Sequence, residues 1–176
     1  FAISFINPKV AKDISCEKLD ISIEHSNESY LTIEEIEEMI EKAELNPVGK
    51  IVSEIRTAQI EEFLLENKLM KDVECYKTVD GNVKILIHQR VPILRIISPS
   101  DNYYIDNNGE KMPVPRNFSA YVTLASGYID EDFAKNELYK FVLFLQKHEF
   151  WNSEIEQIYI HKNKDMEITP RTGEHQ

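Results

Sequence analysis

Several kinds of residue are in short supply, and each shortage excludes something. The 176 residues hold two cysteines, Cys16 and Cys75, with no CxxC pair and no histidine beside either. A zinc site needs three or four ligands at suitable spacing, so the sequence points away from one. The thiols leave two readings open, a bridge in an oxidising compartment or two buried free thiols. A bridge needs Cα atoms within about 7 Å, which spacing alone does not establish. Only five glycines are present, each explicable as a turn, so no glycine-rich loop cradles a phosphate. Bases are outnumbered, 20 against 31 acids, and the net charge of -11 argues against nucleic acid. Solubility explains that acidity better than a dedicated basic partner does. Long apolar runs are missing as well. The opening Phe1-Ala2-Ile3-Ser4-Phe5-Ile6 stops at Asn7-Pro8-Lys9, far short of the roughly 20 residues that cross a bilayer. It reads either as the last turn of a transmembrane helix or as a strand or disordered leader. No cleavable signal pattern, internal repeat or low-complexity linker is visible.

Catalytic signatures are equally sparse. His25, His88, His148, His161 and His175 fall on different elements, and none opens a His-Glu-x-x-His pair. There is no Gly-x-Ser-x-Gly elbow. His148-Glu149 invites a general-base reading, but a histidine at a helix end facing the C-terminal dipole is the simpler one. Asp106 in YYIDNNG resembles a glycosidase carboxylate in isolation. That chemistry requires a second carboxylate and a sugar-holding cleft, whereas an aspartate before a hairpin turn is ordinary. Glu34, Glu35, Glu37, Glu38, Glu41, Glu61, Glu62 and Glu66 form a run that reads as solvated helix faces, not as a cation site. The expectation is a protein with no catalytic activity, no metal and no cofactor.

The remaining composition, 42% hydrophobic and 29% charged, is that of a globular protein long enough for one domain or two small ones. Cys16 to Glu24 alternates as a half-buried strand. Thr32 and Glu35 fit a capping box, with Leu31 and Ile36 as its hydrophobic staple. Ile36, Met39, Ile40 and Ala43 then stripe a helix to about Glu44, which Asn46-Pro47 stops. Ile51-Val52 suggests a very short strand, and Ser53 to Asn67 a second helix with Ile60, Phe63 and Leu64 inward. Asp72 to Thr78 and Asn82 to Arg90 read as strands joined by a tight turn at Val79-Asp80-Gly81-Asn82. Two helices on a three-stranded sheet bury both stripes at once. Pro92 lacks a ladder donor, so that sheet ends or bends there.

Beyond it, Ile93 to Ile97 starts a second sheet. Tyr103 to Asp106 pairs with Lys111-Met112 across Asn107-Asn108-Gly109, a strong hairpin signal. Tyr121 to Leu124 is a further strand that Gly127 ends, and Asp130-Glu131-Asp132 opens a helix. That helix buries Ala134, Leu138, Phe141, Val142 and Leu145 and closes at Phe150-Trp151. Ile155 to His161 and Asp165 to Thr169 are the last strands.

The order of these pieces resembles the extracytoplasmic part of the FtsQ/DivIB cell-division family. The resemblance rests on Arg90-Val91-Pro92-Ile93-Leu94-Arg95, on the Tyr104-Ile105-Asp106-Asn107-Asn108-Gly109 hairpin, and on the succession QRVPILRI, YYIDNNGEKMP, FLQKHEFWN and IYIHKNKDMEITPRTGEH. It is similar to the version found in Bacteroidetes-type bacteria. One departure is Gln89-Arg90 where the family usually has Glu before Val-Pro, so no role of that acid carries over. The resemblance implies an α+β chain. Residues 1–14 would be a membrane-proximal leader ending a transmembrane helix. Residues 15–92 would be a POTRA-like domain, two helices on a three-stranded sheet. Residues 93–176 would be a mixed α+β domain with an antiparallel-rich sheet and one long helix, lacking the family's last elements. It further implies a non-enzymatic divisome scaffold, single-pass in the cytoplasmic membrane with this region in the periplasm, that links division proteins at the septum. FtsB/FtsL-type partners would dock by strand addition at a sheet edge formed by Asp165, Met166, Glu167, Ile168 and Thr169. A POTRA-bearing chaperone for outer-membrane protein transport is the alternative. It would need several POTRA repeats and a barrel.

Overall fold

A computed structural model describes residues 14–24, 30–116 and 118–171. The leader before Ile14, His25 and the tail that includes His175 lie outside these residues. The chain divides between Gln89 and Arg90 into two compact units, each with its own core.

In the first unit the elements run β1 (Leu19–Glu24), α1 (Ile33–Lys42), α2 (Thr57–Leu65), β2 (Met70–Lys77) and β3 (Val83–Gln89). The sheet order is β1-β3-β2, with β1 parallel and β2 antiparallel to the central β3. Alternation in β3 buries Val83, Ile85, Ile87 and Gln89 on one face, because successive side chains point to opposite sides. Ile36 and Ile40 of α1 and Ile60 and Leu64 of α2 cover that face. The buried Gln89 carboxamide oxygen accepts the Leu31 amide at 3.1 Å, tying the entry of α1 to the end of β3.

Thr32 caps α1 as its sequence predicts. Its hydroxyl accepts the Glu35 amide at 3.2 Å and Glu35 accepts the Thr32 amide at 3.0 Å. Other boundaries differ from expectation. The first strand begins at Leu19, not Cys16, and the second helix begins at Thr57, not Ser53. The reason is a set of backbone bonds that hold 49–52 against 14–16: Gly49 donates to Cys16, Cys16 to Lys50 and Val52 to Ile14. With those groups engaged, Ile51 forms only a bridge to Ser15, Val52–Glu54 a 3-10 turn, and Ile55-Arg56 stay extended. Glu61 also leaves the solvated face assigned to it and bonds β2, as described below.

Both cysteines are free and buried in this core. Burial first, and the nearby Glu61 carboxylate second, push the Cys75 thiol up to about 12.

The second unit carries a six-stranded sheet in the order β6-β5-β4-β7-β8-β9, built from β4 (Pro92–Ile97), β5 (Asn102–Asp106), β6 (Lys111–Pro113), β7 (Thr123–Gly127), β8 (Ile155–Ile160) and β9 (Met166–Pro170). β4 and β7 and then β7 and β8 pair in parallel, and the other three ladders are antiparallel. β7 lies further along than Tyr121 to Leu124, because parallel pairing sets Thr123 beside Leu94 and Ser126 beside Ile97. Its last residue, Gly127, has φ +106, and a Cβ there would run into the Ile160 carbonyl. Only glycine lets the two strands approach so closely.

The long helix runs as α3 (Glu131–Phe133), a π turn (Ala134–Leu138) and α4 (Tyr139–Gln146). Asp130 caps it by accepting the Phe133 amide at 2.8 Å. The wider π turn brings Ala134 and Leu138 into the buried set with Val142 and Leu145. Phe150 and Trp151 do not close this helix. They sit exposed on a separate short helix, α5 (Glu149–Glu154), which feeds β8.

Two outcomes test this packing. Thr32→Ala should lower the urea midpoint by an amount equivalent to about 1 kcal/mol, the usual value of an N-cap; an unchanged midpoint would mean that packing alone fixes the helix start. Stability owed to the Cys75 thiol is present below its ordinary value of 9.0 and is lost as pH rises toward 12. Native Cys75 should therefore resist iodoacetamide at pH 9, read by mass spectrometry, while urea-unfolded chain reacts.

Candidate functional site

Strand edges are the surfaces to weigh, because each exposes unpaired backbone donors and acceptors. The two edges of the six-stranded sheet are built differently. β6 has three residues and ends in Pro113. Its Lys111 ammonium lies 2.6 Å from Asp101 and 3.3 Å from Glu131, and 4.4 Å over the Tyr103 ring. The Lys111 hydrogen bond, ahead of the Asn102 amide, holds the Asp101 carboxyl below its ordinary range. Shortness, a proline and a clamped lysine blunt this edge.

β9, at the opposite edge, also ends in a proline, but it is longer, five residues, and carries no lysine. The His161–Asp165 turn delivers it: His161 donates to the Asp165 carbonyl and Lys164 to the His161 carbonyl, both at 3.0 Å. Lys164 takes φ +68 there, and its ammonium pairs with Asp130. Asp165 ends the turn, Met166 to Thr169 lie in the strand, and Pro170 is its last residue. Ile168 sits beside Ile158 and Met166 beside Ile160. Ile158 and Ile160 are fully buried, yet Ile168 and Met166 are 44% and 45% exposed. The apolar face of the sheet thus continues onto its edge, where among the described residues nothing covers it. On the other face Glu167 lies opposite Tyr159 and accepts from or pairs with His161 Nε2 at 3.0 Å.

One residue that sequence reasoning treated as an ordinary turn former proves to be a hub. Asp106 is fully buried, and its Oδ2 lies 2.7 Å from Arg90 Nη1. Its Oδ1 accepts the Asn108 and Glu110 amides at 2.9 and 2.8 Å. Both oxygens are engaged in structure, so this carboxylate is not presented to a sugar. The Arg90-Val91-Pro92 tripeptide was the available signal, since an arginine just ahead of a strand can reach an aspartate at the end of its partner. Gly109, at φ +81, closes the same hairpin, and a Cβ there would meet the Tyr139 ring at 3.2 Å.

Asp72, Glu74 and His88 place ligand atoms within 4.8 Å of one another on the open face of the first sheet. Register explains the grouping: Glu24 and Asp72 flank His88 on adjacent strands, and Glu24 lies 3.1 Å from His88 Nδ1. His148 stands between α4 and α5 with its ring 4.5 Å from Phe144, at the helix end where its sequence put it.

A two-helix, three-stranded module followed by a mixed sheet with one long helix defines a two-unit α+β protein. Residues 14–88 match the family of POTRA-like domains, and residues 91–176 match the family described as FtsQ/DivIB, C-terminal related. Together the two matches support an FtsQ/DivIB-type protein, and both families are of non-enzymatic, scaffold-type domains. No curated protein matches it. Family members are membrane-anchored with extracytoplasmic domains, and among the described residues no helix is long and apolar enough to cross a membrane.

Asp106→Ala should cost about 3 kcal/mol in urea unfolding, the scale of a broken buried ion pair. A loss below about 1 kcal/mol would mean that strand pairing alone holds the hairpin, not the carboxylate.

Proposed function

We propose that the chain is the extracytoplasmic region of a membrane-tethered divisome scaffold that recruits and links division proteins at the septum. In this reading it performs no chemistry. Its second unit takes a strand from an FtsB/FtsL-type partner along Asp165-Met166-Glu167-Ile168-Thr169. The observation that carries the reading is β9: an edge strand exposed on both faces, bordered by uncovered apolar side chains, within the unit that matches the FtsQ/DivIB-related family. Main-chain hydrogen bonds would supply affinity, and alternate side chains would set register. Met166 and Ile168 would receive apolar partner residues, and Glu167 and Thr169 polar ones. The Tyr-Ile-Asp hairpin and the long helix belong to this reading and not to a transport chaperone.

Ile168→Pro tests it, because proline removes a ladder donor and disfavours pairing. Calorimetry with an FtsB/FtsL-type partner should register a clear loss of affinity while circular dichroism stays native. Undiminished binding by the folded variant would place the contact elsewhere.

A further inference from the structure

The face of the first sheet that turns away from the helices holds a cluster that the scaffold reading does not use. Register brings four side chains from three strands together on it. Glu24 of β1 and Asp72 of β2 are the cross-strand partners of His88 in β3, and Glu74 stands two residues beyond Asp72 on the same face. All four reach solvent, so an ion enters without any rearrangement of the fold.

The two edges of the imidazole are engaged differently. Glu24 Oε2 lies 3.1 Å from Nδ1, and a carboxylate there favours the hydrogen on Nδ1 and leaves Nε2 a lone pair. Glu74 Oε1 lies 3.8 Å from Nε2, too far for a hydrogen bond. Asp72, Glu74 and His88 each place a ligand atom within 4.8 Å of the other two. Asp72 Oδ1 accepts the Val73 amide at 3.0 Å, and its other oxygen has no bonded partner among the described residues. With the ring neutral, three lone-pair donors face one another with no hydrogen between them. No lysine or arginine among the described residues relieves the charge. Lys84, further along the same face, pairs with Asp20 at 3.8 Å, Arg90 pairs with Asp106, and Lys71 beside Asp72 forms no ion pair.

We propose that Asp72, Glu74 and His88 form a binding site for a divalent transition-metal ion of the zinc class, with Glu24 as the carboxylate that orients the imidazole. Bonds of about 2.0–2.2 Å to nitrogen and oxygen suit such an ion, and small rotations of the exposed carboxylates bring the three donors to that distance. The imidazole nitrogen selects against Ca²⁺ and Mg²⁺, which prefer oxygen alone. Two carboxylates offset the charge of the ion, and water fills its remaining positions. Glu24 sits at the far edge of the ring from Nε2, so it supports the ligand without joining it, as outer carboxylates do at histidine-bound metals. The ion would tie β2 to β3 and carries no reaction. This departs from the metal-free expectation because the donors lie in separate segments that only strand register unites. The site is independent of the β9 reading.

The experiment uses the 176-residue chain, stripped with a chelator and titrated with Zn²⁺ alone. Calorimetry should show one ion bound per chain, and nitrogen NMR should show a change at His88 Nε2 with Nδ1 still protonated. Zn²⁺ should raise the melting temperature, because the ion binds the folded chain. His88→Gln should lose that rise and the calorimetric signal, and so should the double variant Asp72→Asn, Glu74→Gln, whose exposed side chains leave the core intact. Glu24→Ala should weaken binding about tenfold without removing it, the scale of a lost outer carboxylate. Mg²⁺ at the same concentration should leave the His88 signals unmoved. The proposal is overturned by an absence of Zn²⁺ binding, by signals confined to His148 or His161, by undiminished binding in either ligand variant, or by an equal response to Mg²⁺. Unchanged affinity in folded Glu24→Ala would overturn the role given to Glu24.

Discussion

The architecture of the second unit depends on one buried carboxylate. Asp106 ends β5 directly opposite Pro92, where β4 begins. A proline cannot donate to the ladder at that point, and the pairing register is irregular between Pro92 and Leu94. The ion pair to Arg90 and the two hairpin amides hold the junction where backbone pairing is weakest. Asn107 adds a bond to the Val91 carbonyl. Once β4 and β5 are in register, β7 is placed by parallel pairing to β4, β8 by β7, and β9 by β8. A carboxylate without its partners would be costly at full burial, so the same group that locks the hairpin also penalises its misplacement.

Edges are the second theme common to both units. Small open sheets carry unpaired strands, and among the described residues two of the four edges are protected. Glu61 and Asp72 occupy two outward amides of β2, those of Cys75 and Val73, while Lys111 and Pro113 blunt the three-residue β6. The remaining two, β1 and β9, each lie beside uncovered apolar side chains. A scaffold works by presenting such edges while denying others, since every unguarded strand is also a route to aggregation. The surroundings of the two differ: the groove beside β1 is lined by five glutamates with Lys18 and Lys42, and β9 has apolar side chains on one face and Glu167 with Thr169 on the other.

Much of the fold was legible in local patterns. Thr32 and Glu35 announced the start of α1, the alternation of β3 named its buried face, and Asn108-Gly109 marked the hairpin. Those features depend on neighbours within a turn or a strand. The misplaced boundaries depend on distant partners. Ser53 to Arg56 has nothing in its composition to prevent a helix, but bonds between residues 14–16 and 49–52 commit the chain to a bridge and a 3-10 turn. β7 slid toward Gly127 because Leu94 to Ile97 and the close Ile160 backbone determine what can pair there.

By itself, then, the sequence determined the element types, the capping of α1 and the family resemblance, all carried by short-range periodicity and turn chemistry. Tertiary structure alone decided strand order, the neutralisation of Asp106 by Arg90, and which sheet edges are closed. Glu61 illustrates the reason. In sequence it is one more glutamate on an acidic helix, and its meaning depends on an amide fourteen residues away in β2. Hydrogen bonds and ion pairs between elements depend on angles and distances that a linear pattern does not encode, because one helical face can pack against either end of a strand with the same periodicity.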